Sequence, residues 1–192
     1  MGTPQCQINL RNRKADPGMT MLTLFADASL HHETGAAGWG AWAIREGWPK
    51  GVIMGGPIKR KITSSTVAEM CALAAALWQL RAEDRLAEVK SFMLQSDSTE
   101  ALSRLLCHLP NARISQHKSI KQPDIRPLQN DNKVGREAID AIAEITFGKQ
   151  VWLRHVKGHN GTGDGRSWVN EVCDRQAKRY MRALRAELEK QI

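Results

Sequence analysis

The stretch "MLTLFADASLHHETGAAGWGAWAIREGWPKGVIMGGPIK", residues 21–59, decides the fold of this chain. It holds three apolar segments, 21–29, 37–46 and 50–59, each with the alternation or glycine punctuation that is typical of a β-strand. Parallel neighbours would need a crossover of about a dozen residues, and the gaps between these segments are shorter. The stretch therefore predicts an antiparallel meander of three strands.

The rest of the chain alternates between helical and strand patterns. Met70, Leu73, Leu77 and Leu80 share one helical face, for example, and "VKSFMLQSD" is a buried strand pattern. The predicted helices are 64–88, 98–109, 134–147 and 168–190, and the further strands are 89–97 and 150–158. This order predicts an α/β fold with a mixed sheet, in which a meander is followed by strands that alternate with helices.

The chain is long enough for one sizeable core and shows no internal repeat. We therefore predict a single domain over residues 21–192 with an extended C-terminal helix. Residues 1–20 lack periodicity and carry Arg11, Arg13 and Lys14, so we predict a flexible basic tail there.

The composition indicates the class of binding partner and the cellular compartment. The chain has 28 Lys and Arg against 20 Asp and Glu, a net charge of +8, which favours a polyanion such as nucleic acid as the partner. Its four cysteines form no CxxC pair, and no apolar run has transmembrane length. These features predict a cytoplasmic protein with reduced thiols that does not contact a membrane.

Four carboxylates stand at the ends of predicted elements. Asp27 and Asp97 end two predicted strands, and Glu69 lies in the first turn of a predicted helix. If the two strands are parallel neighbours, both aspartates emerge at one edge of the sheet, where Glu69 and Asp174 could reach them. Carboxylates gathered in this way repel one another unless cations lie between them.

Each carboxylate also has a purely structural interpretation. Glu69 matches a capping box that begins at Thr66, and Asp97 fits a turn in which an aspartate or serine caps the next helix. Asp174 fits a favourable interaction with a helix dipole. The residues alone leave these alternatives open.

Five motifs in order resemble those of the ribonuclease H type 1 family. The match runs over about residues 21 to 180, and its most specific part is the pair "VKGH" and "NEVCDRQA". The motifs are "FADAS" at 25–29, "STVAEM" at 65–70, "LQSDS" at 94–98, "VKGH" at 156–159 and "NEVCDRQA" at 170–177. The resemblance implies that family's fold, a five-stranded mixed sheet with three antiparallel strands first.

The resemblance also implies a mechanism. Asp27, Glu69, Asp97 and Asp174 would hold two Mg²⁺ ions, for which Mn²⁺ could substitute, and His159 would be a mobile proton carrier. The implied reaction is endonucleolytic hydrolysis of the RNA strand of an RNA/DNA hybrid by a monomer, leaving 5′-phosphate and 3′-hydroxyl ends.

Hybrid contacts are implied for polar residues near the carboxylates and for a basic segment. These residues are Ser29, Ser64, Ser65, Thr66, Thr99, Lys118 and Lys121. Ser64, Ser65 and Thr66 stand where the family usually has asparagines, and the loop after Asp27 lacks the familiar glycine- and proline-containing run. These differences from the family pattern do not involve the four carboxylates. They lie in the residues that would recognise the 2′-hydroxyl of RNA.

Two other functions remain open. One is a different nuclease of this fold that acts on DNA or structured RNA, although proofreading exonucleases usually carry an acid where this chain has Ser29. The other is an inactive hybrid-binding module, which the presence of all four carboxylates disfavours. His155 and His159 are four residues apart, but they cross a predicted strand end, so a zinc site is not indicated.

Overall fold

The computed structural model describes residues 20–115, 133–156 and 165–190, without the side chains of 165–167. The predicted tail therefore lies outside the described residues, except for Thr20. The strands are β1 (Met21–His31), β2 (Ala36–Arg45), β3 (Val52–Ile58), β4 (Ser91–Ser96), β5 (Ala112–Ile114) and β6 (Gln150–His155). The helices are α1 (Ser65–Ala82), α2 (Thr99–His108), α3 (Lys133–Thr146) and α4 (Gly165–Glu189).

The strands of the described residues form one mixed sheet in the order β3-β2-β1-β4-β6-β5. Pairing is antiparallel between β1 and β2 and between β2 and β3, which confirms the predicted meander. Strands β1 and β4 are parallel neighbours, as are β4 and β6, and β5 and β6. The α/β class, the mixed sheet and the alternation of strands with helices are thus confirmed.

The expected number of five strands is wrong, because β5 adds a sixth at the edge of the sheet. At three residues, β5 is too short to show an alternating pattern, and it follows Pro110 in a segment without periodicity. It forms by pairing with β6, and the ladder continues as Ser115 N donates to Leu153 O over 2.8 Å. Tertiary pairing, rather than local preference, creates this strand.

Strand β1 continues past Asp27, where the sequence pattern predicted its end. Its antiparallel pairing with β2 runs through Asp27 opposite Gly40 to His31, whereas its parallel pairing with β4 ends at Phe25 opposite Gln95. Asp27 therefore lies just beyond the last parallel pair, and Asp97 follows β4 directly. Both aspartates reach the same edge of the sheet, although only one of them follows a strand end.

Helix α1 ends at Ala82, earlier than its sequence pattern suggested. Asp84 adopts a left-handed conformation with φ 54°, its N–H donates to Arg81 O, and Arg85 N–H donates to Leu80 O. This hydrogen-bond pattern is a Schellman motif, which satisfies the last carbonyls of the helix and stops it. Residues 83–88, predicted as helix, therefore form the turn that leads to β4.

Opposite faces of the sheet carry different helices, since neighbouring side chains on a strand point to opposite sides. Leu24 of β1 packs with Leu73 and Leu77 of α1 in the main core, whereas Phe25 packs with Cys173 of α4 in a second cluster. A Cβ atom added at Gly40 would meet the carbonyl oxygen of Cys173. Helix α4 therefore lies with its backbone directly on β2, which places Asp174 close to the central strands.

The tryptophans in the strands largely behave as predicted. Trp39 and Trp42 are buried in the core, and Trp152 is half-buried. Among the described residues, no helix has both the length and the apolar character that a membrane crossing requires.

Candidate active site

Three of the four predicted carboxylates meet at the edge of the sheet. One oxygen from each of Asp27, Glu69 and Asp97 lies within 4.8 Å of the other two. Asp27 and Glu69 are only 6% and 7% exposed, and Asp97 is half-buried. Parallel pairing of β1 and β4 supplies the two aspartates, and α1 brings the glutamate across them.

Glu69 is fixed by hydrogen bonds to both strands. Ala28 N donates to Oε1 over 3.1 Å, and the hydroxyl of the fully buried Ser96 donates to Oε2 over 3.1 Å. The same hydroxyl oxygen accepts a hydrogen bond from Ser98 N at 3.1 Å, which sets its orientation. The carboxylate is thus positioned before any ligand arrives.

The capping-box interpretation of Glu69 is wrong. Helix α1 begins at Ser65 with Ser64 as its N-cap residue, so the capping-box position three residues into the helix belongs to Val67. Ser64 itself makes no side-chain capping bond. Glu69 lies in the second turn and points its carboxylate to the sheet.

The serine of the turn after β4 takes the capping role, which leaves the Asp97 side chain for the cluster. Ser98 is the N-cap residue of α2, and its side chain accepts a hydrogen bond from Ala101 N at 3.2 Å. The Asp97 carbonyl oxygen accepts a hydrogen bond from His155 Nε2 at 2.9 Å. Strand β6 therefore also fixes the turn that carries Asp97.

The crowding of these carboxylates perturbs their protonation. Burial, reinforced by the charges of Asp97 and Asp174, raises the pKa of Asp27 from 3.8 to about 7. Burial and the charges of Asp27 and Asp97 raise the pKa of Glu69 well above its ordinary value. A divalent cation would relieve both effects, because it screens the repulsion and replaces lost hydration with oxygen coordination. The donor set, all carboxylate oxygen, suits a hard cation such as Mg²⁺.

Asp174 approaches the cluster without joining it. Its charge raises the pKa of Asp27, yet it is not among the three residues that meet within 4.8 Å. Its Oδ2 lies 2.9 Å from Lys178 Nζ, one turn further along α4. The helix-dipole interpretation of Asp174 is wrong, because it lies more than two turns beyond the helix start at Gly165, where the dipole effect has faded.

The predicted substrate-binding residues lie on the same elements as the carboxylates. Ser29 follows Asp27 by two positions, on the same face of β1, and is half-buried. Ser64, Ser65 and Thr66 start α1, and Thr99 starts α2; Ser65 is exposed and the other three are half-buried. His159, Lys118 and Lys121 lie outside the described residues.

Sequence reasoning overlooked two residues that hold the site together. Ser96 stands just before Asp97 at the end of β4, and a fully buried polar side chain at this position signals a hydrogen-bonding role. In the sequence, His155 stands out only by its spacing of four residues from His159. Its contact with the Asp97 carbonyl depends on the pairing of β4 with β6, which no local pattern reveals.

Comparison with known proteins gives one family and a consistent fold. The family model of RNase H matches residues 19–182. No curated protein matches significantly.

The solved structures that share the fold include three with low sequence identity to this chain. The N-terminal RNase H domain of rv2228c from Mycobacterium tuberculosis, solved as a fusion with maltose-binding protein, is similar with a TM-score of 0.59 and 14% identity, covering 88% of this chain and 98% of that one. RNase H1 from the halophilic archaeon Halobacterium salinarum NRC-1 gives a TM-score of 0.55 and 16% identity, covering 85% and 98%. LC11-RNase H1, solved in complex with an RNA/DNA hybrid, gives a TM-score of 0.55 and 15% identity. That match covers 82% of this chain and 97% of the other.

Proposed function

The chain belongs to the RNase H family and is a ribonuclease H enzyme, and from that premise we propose that it cleaves the RNA strand of RNA/DNA hybrids. The proposed products carry 5′-phosphate and 3′-hydroxyl ends. The observation that supports this most directly is the cluster of Asp27, Glu69 and Asp97, one carboxylate from each of three of the five motifs, whose oxygens lie within 4.8 Å of one another. Such a cluster has the chemistry to bind cations at a scissile phosphate.

We propose that Asp27, Glu69, Asp97 and Asp174 hold two Mg²⁺ ions, or Mn²⁺ in their place. Bound there, the ions would supply an activated water and charge stabilisation for the leaving oxygen. Asp27, which is buried and close enough to Asp97 and Asp174 for their charges to raise its pKa, would be one of the residues that hold the ions.

The protein's own contribution is positioning. Ala28 N–H and the Ser96 hydroxyl hold Glu69 in one orientation, and His155 holds the turn of Asp97. His159, a residue type that titrates near neutral pH, is proposed to carry a proton in the reaction.

The proposed substrate follows from charge and from position. A net charge of +8 favours binding of a nucleic acid backbone, and one solved structure of similar fold is a complex with an RNA/DNA hybrid. We propose that Ser29, Ser64, Ser65, Thr66 and Thr99 contact the hybrid near the carboxylates, where hydroxyl groups can bond the 2′-hydroxyl of RNA. Lys118 and Lys121 are proposed to bind backbone phosphates.

The domain organisation, the oligomeric state and the compartment of the protein stay predictions. We propose that residues 21–192 act as a single catalytic domain, as a monomer, in the cytoplasm. Among the described residues, Cys71, Cys107 and Cys173 are free thiols, in keeping with a reducing compartment.

The test is Mg²⁺-dependent cleavage of an end-labelled RNA/DNA hybrid beside duplex DNA, duplex RNA and single-stranded RNA. Asp97→Asn should abolish cleavage, whereas Asp140→Asn, a control at an exposed aspartate of α3, should retain it. Cleavage of DNA or duplex RNA instead would point to a different nuclease activity of this fold. Hybrid binding without cleavage, with either metal, would indicate a binding module.

A further inference from the structure

The fourth carboxylate of the site already has a cation beside it. Lys178 Nζ lies 2.9 Å from Asp174 Oδ2, and the Asp174 side chain is 23% exposed. One oxygen from each of Asp27, Glu69 and Asp97 lies within 4.8 Å of the other two, and Glu69 is held by neutral donors, the Ala28 amide and the Ser96 hydroxyl. Within the described site, the four carboxylates thus fall into a preformed group of three and a separate ion pair.

Electrostatics connects the two parts. The carbonyl oxygen of Cys173 lies against Gly40, the residue paired with Asp27, so Asp174 follows directly beside the cluster and its negative charge adds to the repulsion there. The Lys178 ammonium offsets that charge in the absence of metal. A divalent cation that binds Asp174 must therefore either displace the ammonium or bind beside another positive charge, and both weaken its binding.

We propose that Lys178 is a built-in counter-ion of Asp174 that lowers the affinity of the site for its second cation. The inference rests on the proposed function, because it concerns the same four carboxylates. In this scheme one cation binds first to Asp27, Glu69 and Asp97. The second cation binds more weakly, because Asp174 is available only when Lys178 moves away.

The alternative is an ordinary helix-surface ion pair. Such pairs, four residues apart, stabilise a helix by about 0.3–0.5 kcal/mol and have no connection with a metal site. The two interpretations predict different effects of bound metal on the contribution of the ion pair to stability. A surface pair contributes the same stability with and without metal, whereas a counter-ion contributes only until a cation replaces it.

The experiment titrates the metal-free full chain with Mn²⁺ alone, and separately with Mg²⁺ alone, by calorimetry. Lys178→Gln should bind the weaker cation about twofold to fivefold more tightly than the unmodified chain, the range expected for an exposed ion pair. Arg182→Gln is the matched control, since it removes an exposed positive charge one turn further along α4. It should change the affinity by less than about 1.5-fold, because solvent screens the longer distance.

A double-mutant cycle assigns the effect to the pair. In an Asp174→Asn background, Lys178→Gln should leave cation affinity unchanged. Thermal unfolding gives an independent result: Lys178→Gln should lower the Tm of the metal-free chain and enlarge the rise in Tm that Mn²⁺ produces.

Equal affinity for the weaker cation in Lys178→Gln and the unmodified chain, or a single binding event in both, would overturn the inference. An effect that persists in the Asp174→Asn background would overturn it as well. A parallel assay of the unmodified chain on the hybrid separates this inference from the proposed function. A chain that binds both cations but cleaves no hybrid would refute the proposed activity and leave the calorimetric comparison valid.

Discussion

Replacing Asp27 by asparagine should stabilise the metal-free protein while it destroys the site. The folded protein raises the pKa of this carboxyl from 3.8 to about 7, mainly by burial and then by the charges of Asp97 and Asp174. At about 1.4 kcal/mol per pKa unit, holding the ionised form costs about 4 kcal/mol above pH 7. Asparagine has nearly the same shape and no charge, so we expect a gain of about 2–4 kcal/mol at pH 8.

The dependence on pH has a definite sign. Below about pH 4 the carboxyl is protonated in both the folded and the unfolded chain, so it carries no penalty. Between about pH 4 and 7 the unfolded chain releases the proton and the folded chain retains it, so the stability of the protein falls as the pH rises. Asparagine removes this fall, and the advantage of Asp27→Asn should grow by about 2–3 kcal/mol between pH 5 and pH 8.

The assay is urea or thermal unfolding of the full chain in the presence of a chelator, at about pH 5 and pH 8. For a chain of this size the expected gain at pH 8 corresponds to a Tm rise of about 5–10 °C. Asp140→Asn, at an exposed aspartate of α3, should leave the Tm nearly unchanged at either pH. A variant no more stable than the unmodified chain at pH 8, or a gain equal at both pH values, would show that Asp27 is not held in an unfavourable charged state.

Three further outcomes are expected from the same structure. Ser96→Ala should lower the free energy of unfolding by about 1–3 kcal/mol and weaken hybrid cleavage, because it removes a donor to the buried Glu69. Ser91 is equally buried in β4, but its hydroxyl has no hydrogen-bond partner among the described residues, so Ser91→Ala should be near neutral in urea unfolding and in activity. Gly40→Ala should lower the free energy of unfolding by about 2–3 kcal/mol, because the added Cβ meets the backbone of α4, and an unchanged urea midpoint would mean that the helix does not lie on β2. Cys173 should resist modification by iodoacetamide in the native protein at about pH 8, because it is fully buried and burial raises the pKa of its thiol. Mass spectrometry would check this, and modification of Cys173 before unfolding would contradict the packing of α4.

Local sequence patterns predicted the order of every described element except β5. Alternation over residues 21–59 indicated the meander, and helical spacing of Met70, Leu73 and Leu77 indicated α1, because each element must bury one face with its own period. Patterns of this kind reflect nearby residues only. They therefore missed β5, whose three residues become a strand only by pairing with β6, and they ended β1 too early, since its continuation depends on β2.

For the candidate site, too, the sequence predicted some features and the tertiary structure decided others. The motifs identified Asp27, Glu69, Asp97 and Asp174 by residue type and order, and parallel pairing of β1 with β4 was enough to expect the two aspartates at one edge. Whether Glu69 capped a helix or faced the cluster could not be settled locally. Its hydrogen-bond partners, Ala28 and Ser96, are 41 and 27 positions away in the chain.

The sequence therefore specified the carboxylates and the elements that carry them, because side-chain chemistry and hydrophobic period are local properties. The tertiary structure decided which groups hold each carboxylate, because those contacts join segments far apart in the chain and depend on sheet register. The Asp174–Lys178 ion pair depends on both the local sequence and the tertiary structure. Its spacing is visible in the sequence, but only the packing of α4 on β2 places it beside Asp27, where the charge of Asp174 raises the pKa of the Asp27 carboxyl.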